Sequence, residues 1–173
     1  MRLPPTLIII RGNSGSGKST LARELRLRLA REGLKAALVE QDYLRRIVLK
    51  EKETDGGDNI DLIEQTVRFS LARGYCVVLE GILVFSRYGA MLRRLVQAAE
   101  RTRAYYMDVP FEETLRRHVT KPNAHEFGEE EMRRWWQEHD VTGFPGEKVI
   151  LAESGVEESV AAIIQDMESS LSD

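Results

Sequence analysis

The sequence contains a single cysteine, Cys76, in 173 residues, so an internal disulfide is excluded. Cys76 lies in an apolar run, where we expect it to pack in the core. No group of Cys and His residues has the spacing of a zinc site. These absences are typical of a protein from a reducing compartment, and we expect a cytoplasmic location.

The sequence also lacks an excess of basic residues and lacks long apolar runs. It has 25 Lys and Arg against 28 Asp and Glu, a net charge of -3, which argues against broad binding to nucleic acid. The opening MRLPPTLIIIRG has no small-residue cleavage site, so we predict no signal peptide. No stretch approaches the roughly 18 to 20 apolar residues of a membrane span. We expect one domain covering residues 1–173.

What the sequence does contain is a phosphate-binding motif, GNSGSGKS at Gly12–Ser19, which matches GxxxxGK[ST]. It lies between a predicted buried strand, Leu7–Ile10, and a predicted helix, Ser19–Arg31. Lys18 is expected to contact the β- and γ-phosphates of ATP, and Ser19 to bind Mg²⁺. The predicted nucleotide-binding residues are Gly12, Asn13, Ser14, Gly15, Ser16, Gly17, Lys18, Ser19 and Thr20.

Apolar strand-like runs alternate with helical patterns along the whole chain. This alternation predicts an α/β protein with the three-layer P-loop NTPase fold, a mostly parallel five-stranded sheet and a small lid. The predicted strands are Leu7–Ile10, Ala36–Glu40, Tyr75–Glu80, Ala104–Val109 and Val149–Leu151. The predicted helices after Ser19–Arg31 are Asp42–Lys50, Ile60–Arg73, Arg87–Glu100, Phe111–Val119, Glu129–Glu138 and Val156–Leu171.

Three segments together resemble a known group of proteins. They are the P-loop with the following Thr20 and Ala22, the segment VEQDYLRR at residues 39–46, and the segment DVPFEETLRRHVTKP at residues 108–122. The sequence resembles the small P-loop kinases that include polynucleotide 5′-hydroxyl kinase, chloramphenicol phosphotransferase, the zeta toxins and gluconate kinase. The resemblance implies transfer of the γ-phosphate of ATP, with Mg²⁺, to a hydroxyl group of a nucleoside, sugar or antibiotic. Two alternatives stay open: a polynucleotide 5′-hydroxyl kinase, and a nucleotide-binding regulatory ATPase without an acceptor.

Two acidic residues follow predicted strands at the edge where the nucleotide is expected. By the resemblance, Asp42 is the catalytic base, and a carboxylate at the end of a parallel strand can reach this crevice. The alternatives are that Asp42 only caps the next helix, or that Glu40 is the base. Glu80 ends another strand and is expected to hold Mg²⁺ or a water bound to it; the alternative is an ordinary surface carboxylate.

Basic residues are expected to close over the phosphates from a lid at approximately residues 116–138. The resemblance assigns the catalytic arginine to Arg117, with Arg116 and Lys121 as further lid residues; a basic helix end is the alternative reading. Arg45 and Arg46 are candidates for substrate contact, although a solvated helix face explains them equally well.

The acceptor side of the site is the part that the sequence leaves open. In the resembling kinases it is formed by variable helices, which correspond here to residues 43–73. Within this range, residues 51–58 are predicted to form a surface loop, with Asp58 or Asn59 capping the next helix. Of the two adjacent tryptophans, Trp135 and Trp136, at least one is expected in the core.

Overall fold

A computed structural model describes residues 3–122 and 124–169 and shows strands and helices in alternation. The strands are β1 (Leu7–Gly12), β2 (Ala36–Glu40), β3 (Cys76–Gly81), β4 (Thr102–Asp108) and β5 (Lys148–Leu151). The helices are α1 (Lys18–Arg31), α2 (Asp58–Ala72), α3 (Phe85–Ala98), α4 (Phe111–His118), α5 (Glu129–Trp135) and α6 (Val156–Ser169). A π-helical segment, Tyr43–Val48, follows β2.

The five strands form one sheet in the order β2-β3-β1-β4-β5, and every neighbouring pair is parallel. The predicted three-layer α/β fold is therefore confirmed. Leu7 and Ile9 of β1 pack on one face of the sheet together with α2 and α3, whereas Ile8 and Ile10 pack on the other face with α1 and α6. Because β1 is covered on both faces, it reads as an unbroken apolar run rather than an alternating one.

The register of the sheet brings the carboxyl ends of its central strands to one edge. Glu40 at the end of β2 is paired with Glu80 of β3, and Glu80 is in turn opposite Ile10 of β1. The P-loop leaves β1 two residues later and enters α1. Open parallel sheets bind ligands at this edge, so the fold places both acidic residues beside the P-loop.

Two local predictions between β2 and β3 need correction. A helix follows β2 as predicted, but it is a π-helix at Tyr43–Val48 and ends before Lys50. Neither Asp58 nor Asn59 caps α2, because the N-cap residue is Gly57. The capping group is instead the Glu51 carboxylate, which accepts hydrogen bonds from the backbone N–H groups of Asp58 (2.6 Å) and Asn59 (2.9 Å). This capping fixes the predicted surface loop to the start of α2.

No helix within residues 3–122 and 124–169 combines the length and the apolar character that a membrane-crossing helix needs.

Candidate active site

The P-loop contains two glycines whose backbone conformations are unfavourable for residues that have a side chain. Gly15 and Gly17 have φ angles of 81° and 94°, in the left-handed region. Gly15 also lies against α4, and a Cβ atom there would be 2.6 Å from the backbone oxygen of Thr114. Helix α1 begins at Lys18, so its positive dipole end points into the loop. The backbone therefore forms a concave surface suited to phosphate oxygens.

Two lysines lie together in the cleft above this loop. Both Lys18 and Lys121 line a cavity of about 570 Å³. The Lys18 ammonium donates a hydrogen bond to the backbone oxygen of Asn13 at 3.2 Å. The pKa of Lys121 is lowered, chiefly because it is partly buried and secondly because Lys18 is near. Two ammonium groups at such proximity repel each other, and a polyanion between them would relieve the repulsion.

In the same cavity, Ser19 and Glu80 form a pair of oxygen donors. Ser19 Oγ donates a hydrogen bond to Glu80 Oε2 at 3.2 Å, and Glu80 is almost fully buried. A hydroxyl and a carboxylate are the hard oxygen donors that Mg²⁺ prefers. Within the described ranges, no group of three or more His, Cys, Asp or Glu residues could hold a metal by itself. The donor pair suits a magnesium ion that is held jointly with phosphate oxygens and water.

Burial raises the pKa of Glu80 from 4.5 to about 6, and the neighbouring Glu40 and Asp42 carboxylates add to the rise, whereas Lys18 opposes it. The folded protein therefore holds this proton more tightly than the unfolded chain does. The stabilising contribution of the protonated carboxyl is complete below pH 4.5 and is lost as the pH rises through about 6.

This pKa predicts a pH-dependent difference between wild type and Glu80→Gln. We expect the variant to gain about 2 kcal/mol of unfolding free energy relative to wild type between pH 4 and pH 7, because glutamine does not ionise. Urea unfolding at a series of pH values measures this difference. A difference that is constant with pH would show that Glu80 titrates normally in the folded protein. Carboxyl groups with lowered pKa values also make the unfolding free energy depend on pH. Their contribution is the same in both proteins, so it cancels in the difference.

Asp42 lies where the cleft divides into two cavities. It lines the cavity of about 570 Å³ that also contains Lys18 and Lys121, which we name the nucleotide cavity, and a second cavity of about 650 Å³. Its side chain is 61% exposed and pairs with Arg45 at 3.1 Å. It makes no side-chain capping hydrogen bond to the following π-helix, so the capping alternative is not supported. Glu40 is less available, because its Oε1 accepts hydrogen bonds from Arg23 at 2.6 and 2.9 Å.

The lining of the second cavity includes the predicted residues Asp42, Arg45 and Arg46, together with residues that the sequence did not single out. Its floor is apolar, from Ile82 to Val84, and its polar wall is a cluster around Glu53. The Glu53 carboxylate is paired with Arg45 at 2.9 Å and with Arg87 at 3.1 Å. Sequence reasoning missed Arg87 and Glu53 because they are distant in the chain and meet only when α3 packs beside the loop before α2. We name this space the acceptor cavity.

The predicted basic residues are placed in three different ways. Arg46 is paired with Glu126 at 2.8 Å and lines both cavities, whereas Arg116 is mostly exposed and paired with Glu113. Arg117 donates hydrogen bonds to the backbone oxygens of Ser16 and Ala152, each at 2.9 Å, and to Glu113. All three of its nitrogens are thus occupied by protein acceptors.

The tryptophans are more exposed than expected. Trp135 is 43% exposed and lines the acceptor cavity, and Trp136 is half-buried, with its ring edge-on to Phe111 at 5.1 Å between centroids. The prediction that at least one of them is a core residue is wrong. They lie at the end of a short helix on the rim of the site, where core packing does not reach.

Among proteins of known function, the chain is 31% identical over 119 residues to an adenylyl-sulfate kinase of Pseudomonas aeruginosa. This match covers 67% of the chain and 60% of the kinase. The chain spans 60% or less of the length of the curated relatives it matches.

Solved structures share the fold at lower sequence identity. The APS kinase CysC of Mycobacterium tuberculosis, in complex with AMPPNP and APS, is 19% identical with a TM-score of 0.74, over 96% of this chain and 98% of that one. A gluconokinase from Sinorhizobium meliloti 1021 is 17% identical with a TM-score of 0.66, over 98% and 97% of the two chains.

The family comparison settles where the chain belongs. Residues 7–141, which run from β1 to beyond α5, match the family model described as AAA domain. The match includes all three segments on which the resemblance was based, the P-loop among them. The chain therefore belongs to this AAA domain family of P-loop kinases, as the resemblance indicated.

Proposed function

We propose that the protein is an ATP- and Mg²⁺-dependent phosphotransferase that moves the γ-phosphate to a hydroxyl group of a small molecule. The observation that carries this proposal is the position of Asp42, which lines both the nucleotide cavity and the acceptor cavity. A base that takes a proton from an acceptor hydroxyl must be within reach of both substrates. The adenylyl-sulfate kinase relative supports the same class of reaction.

In the proposed reaction, the acceptor hydroxyl lies in the acceptor cavity with its proton directed to Asp42. Its oxygen forms a bond to the γ-phosphorus, the bond from that phosphorus to the β–γ bridging oxygen breaks, and ADP leaves. The Asp42 carboxylate accepts the hydroxyl proton. Bound Mg²⁺ would supply charge neutralisation at the β- and γ-phosphates, next to Ser19 and Glu80.

Lys18 and Lys121 are proposed to stabilise the negative charge on the transferred group. Both lysines line the nucleotide cavity, and the pKa of Lys121 is lowered chiefly by burial and secondly by the nearby Lys18 ammonium group. Arg117 is proposed to act one step away, because its hydrogen bond to the Ser16 oxygen holds the P-loop backbone. In our proposal, Lys121 rather than Arg117 is therefore the basic residue that contacts the phosphates.

A small acceptor suits the acceptor cavity better than a polynucleotide does. A volume of about 650 Å³ is in the range of pockets that enclose small ligands. Its charged residues are of both signs rather than forming a basic groove of the kind that tracks a nucleic acid backbone. They are Arg45, Arg46, Lys52, Arg87 and Arg134 against Asp42, Glu53, Glu126 and Glu131. We also propose a cytoplasmic location, where ATP is abundant and the buried Cys76 thiol stays reduced.

An acceptor screen tests the proposal. ATP consumption is measured with nucleosides, sugars, aminoglycosides and 5′-hydroxyl oligonucleotides, for wild type and for Asp42→Asn. We expect at least one small hydroxylated compound to stimulate ATP consumption in wild type and not in the variant. Stimulation by the oligonucleotides alone would replace this function with polynucleotide phosphorylation. ATP hydrolysis without any acceptor, unchanged in Asp42→Asn, would indicate a regulatory ATPase instead.

A further inference from the structure

Asn13 of the P-loop makes contacts that phosphate binding does not require. Its Nδ2 donates a hydrogen bond to the backbone oxygen of Gln137 at 2.7 Å, and its Oδ1 accepts one from the backbone N–H of Gln137 at 2.9 Å. Both polar groups of the amide are therefore paired with one residue 124 positions away. Asn13 is only 6% exposed, so water competes little for these bonds.

The segment that contains Gln137 is held a second time by the strand that leads into the P-loop. Arg11 of β1 donates hydrogen bonds to the backbone oxygen and to the Oδ2 atom of Asp140, both at 2.6 Å. Arg11 is fully buried, and burial lowers its pKa despite the opposing effect of Asp140. Asn13 of the P-loop thus holds residue 137, and Arg11 of β1 holds residue 140, so both ends of this segment are fixed.

The fixed segment is also part of the acceptor cavity. Gln137 and Trp135 line that cavity, and so does Ser14, the neighbour of Asn13 in the P-loop. Ser14 lines the nucleotide cavity as well. The P-loop therefore faces the nucleotide with its backbone and holds a wall of the acceptor cavity with the side chain of Asn13.

We propose that Asn13 is a positioning residue that couples nucleotide binding at the P-loop to the part of the acceptor-cavity wall formed by Trp135 and Gln137. Bound phosphates fix the P-loop backbone, and the two hydrogen bonds of Asn13 transmit that position to residue 137. This inference rests on the proposed function only in requiring that a nucleotide binds at the P-loop.

Tryptophan fluorescence provides a direct test, because the chain has two tryptophans and both precede Gln137. The probe is the non-hydrolysable analogue AMPPNP with Mg²⁺, added to wild type, Asn13→Ala and Asn13→Leu. In wild type we expect a saturable change in fluorescence. In both variants we expect this change to fall at least about fivefold while the Kd for AMPPNP, from calorimetry, stays within about threefold, a difference below 1 kcal/mol.

Two controls separate coupling from general damage. Gln137→Ala should keep the fluorescence change, since Asn13 contacts the backbone of Gln137 and not its side chain. Ser70→Ala removes a buried polar group from α2, far from the P-loop, and should also keep it. If Asn13→Ala unfolds, Asn13→Leu supplies the test, because it keeps a similar size and removes both polar groups of the amide without adding a charge to the P-loop.

The possible failures are distinguishable. A wild-type protein that binds AMPPNP without a change in fluorescence overturns the inference alone, and so does an Asn13→Ala variant with an undiminished change. A loss of AMPPNP affinity in proportion to the loss of signal would assign Asn13 to the nucleotide and overturn the coupling. A wild-type protein that binds no AMPPNP overturns the proposed function, and the inference with it.

Discussion

Asp42→Asn is expected to lower kcat about 10²- to 10⁴-fold, the range typical of losing a general base. Asparagine keeps the size of the side chain and can still accept a hydrogen bond from Arg45, but it cannot take the proton of the acceptor hydroxyl. The KM for ATP should change little, because in the proposed reaction Asp42 approaches the nucleotide only at the γ-phosphate. Steady-state kinetics with the acceptor found in the screen measures both constants.

Glu40→Gln is the matched control for this prediction. It also removes one carboxylate next to the cleft, but Glu40 is already paired with Arg23, so we expect a much smaller loss of kcat. A larger loss in Glu40→Gln than in Asp42→Asn would identify Glu40 as the base. Equal and small losses in both variants would show that no carboxylate in this position is the base.

The nucleotide half of the site could be predicted from the sequence because its signals are local. The P-loop is a continuous motif whose glycine conformations and helix start are fixed by neighbouring residues. The strand ends that place Asp42 and Glu80 follow from apolar runs and from the geometry of parallel sheets. The burial that raises the pKa of Glu80 could not be predicted, since it depends on packing across β1 and α1.

The acceptor half could not be predicted because its contacts join distant parts of the chain. The Asn13–Gln137 pair and the Arg87–Glu53 ion pair link segments whose spacing carries no pattern. The π-helical turns after β2 were also missed, because their side-chain pattern is that of an ordinary helix. Arg117 illustrates a further difficulty: a basic residue in the right position for phosphate contact is used here to hold the P-loop.

The P-loop lysine gives the second large effect. Lys18→Ala should weaken binding of ATP with Mg²⁺. It should also lower kcat/KM roughly a hundredfold or more, which corresponds to a loss of about 3 kcal/mol or more of transition-state stabilisation. The reason is that Lys18 is mostly buried and faces the nucleotide cavity, so water cannot replace its charge against the phosphates. Calorimetry with AMPPNP measures the binding loss without requiring a known acceptor.

Lys148→Ala is the control for that loss, because it removes an exposed ammonium group from β5. β5 is an edge strand and is separated from β3 by β1 and β4. Its AMPPNP affinity should equal that of wild type. Full affinity in Lys18→Ala would mean that the nucleotide does not bind at the P-loop. An intermediate loss that becomes complete only in Lys18→Ala/Lys121→Ala would instead show that the two lysines share the phosphate charge, as their mutual closeness suggests. The double variant thus also tests whether Lys121, rather than Arg117, contacts the phosphates.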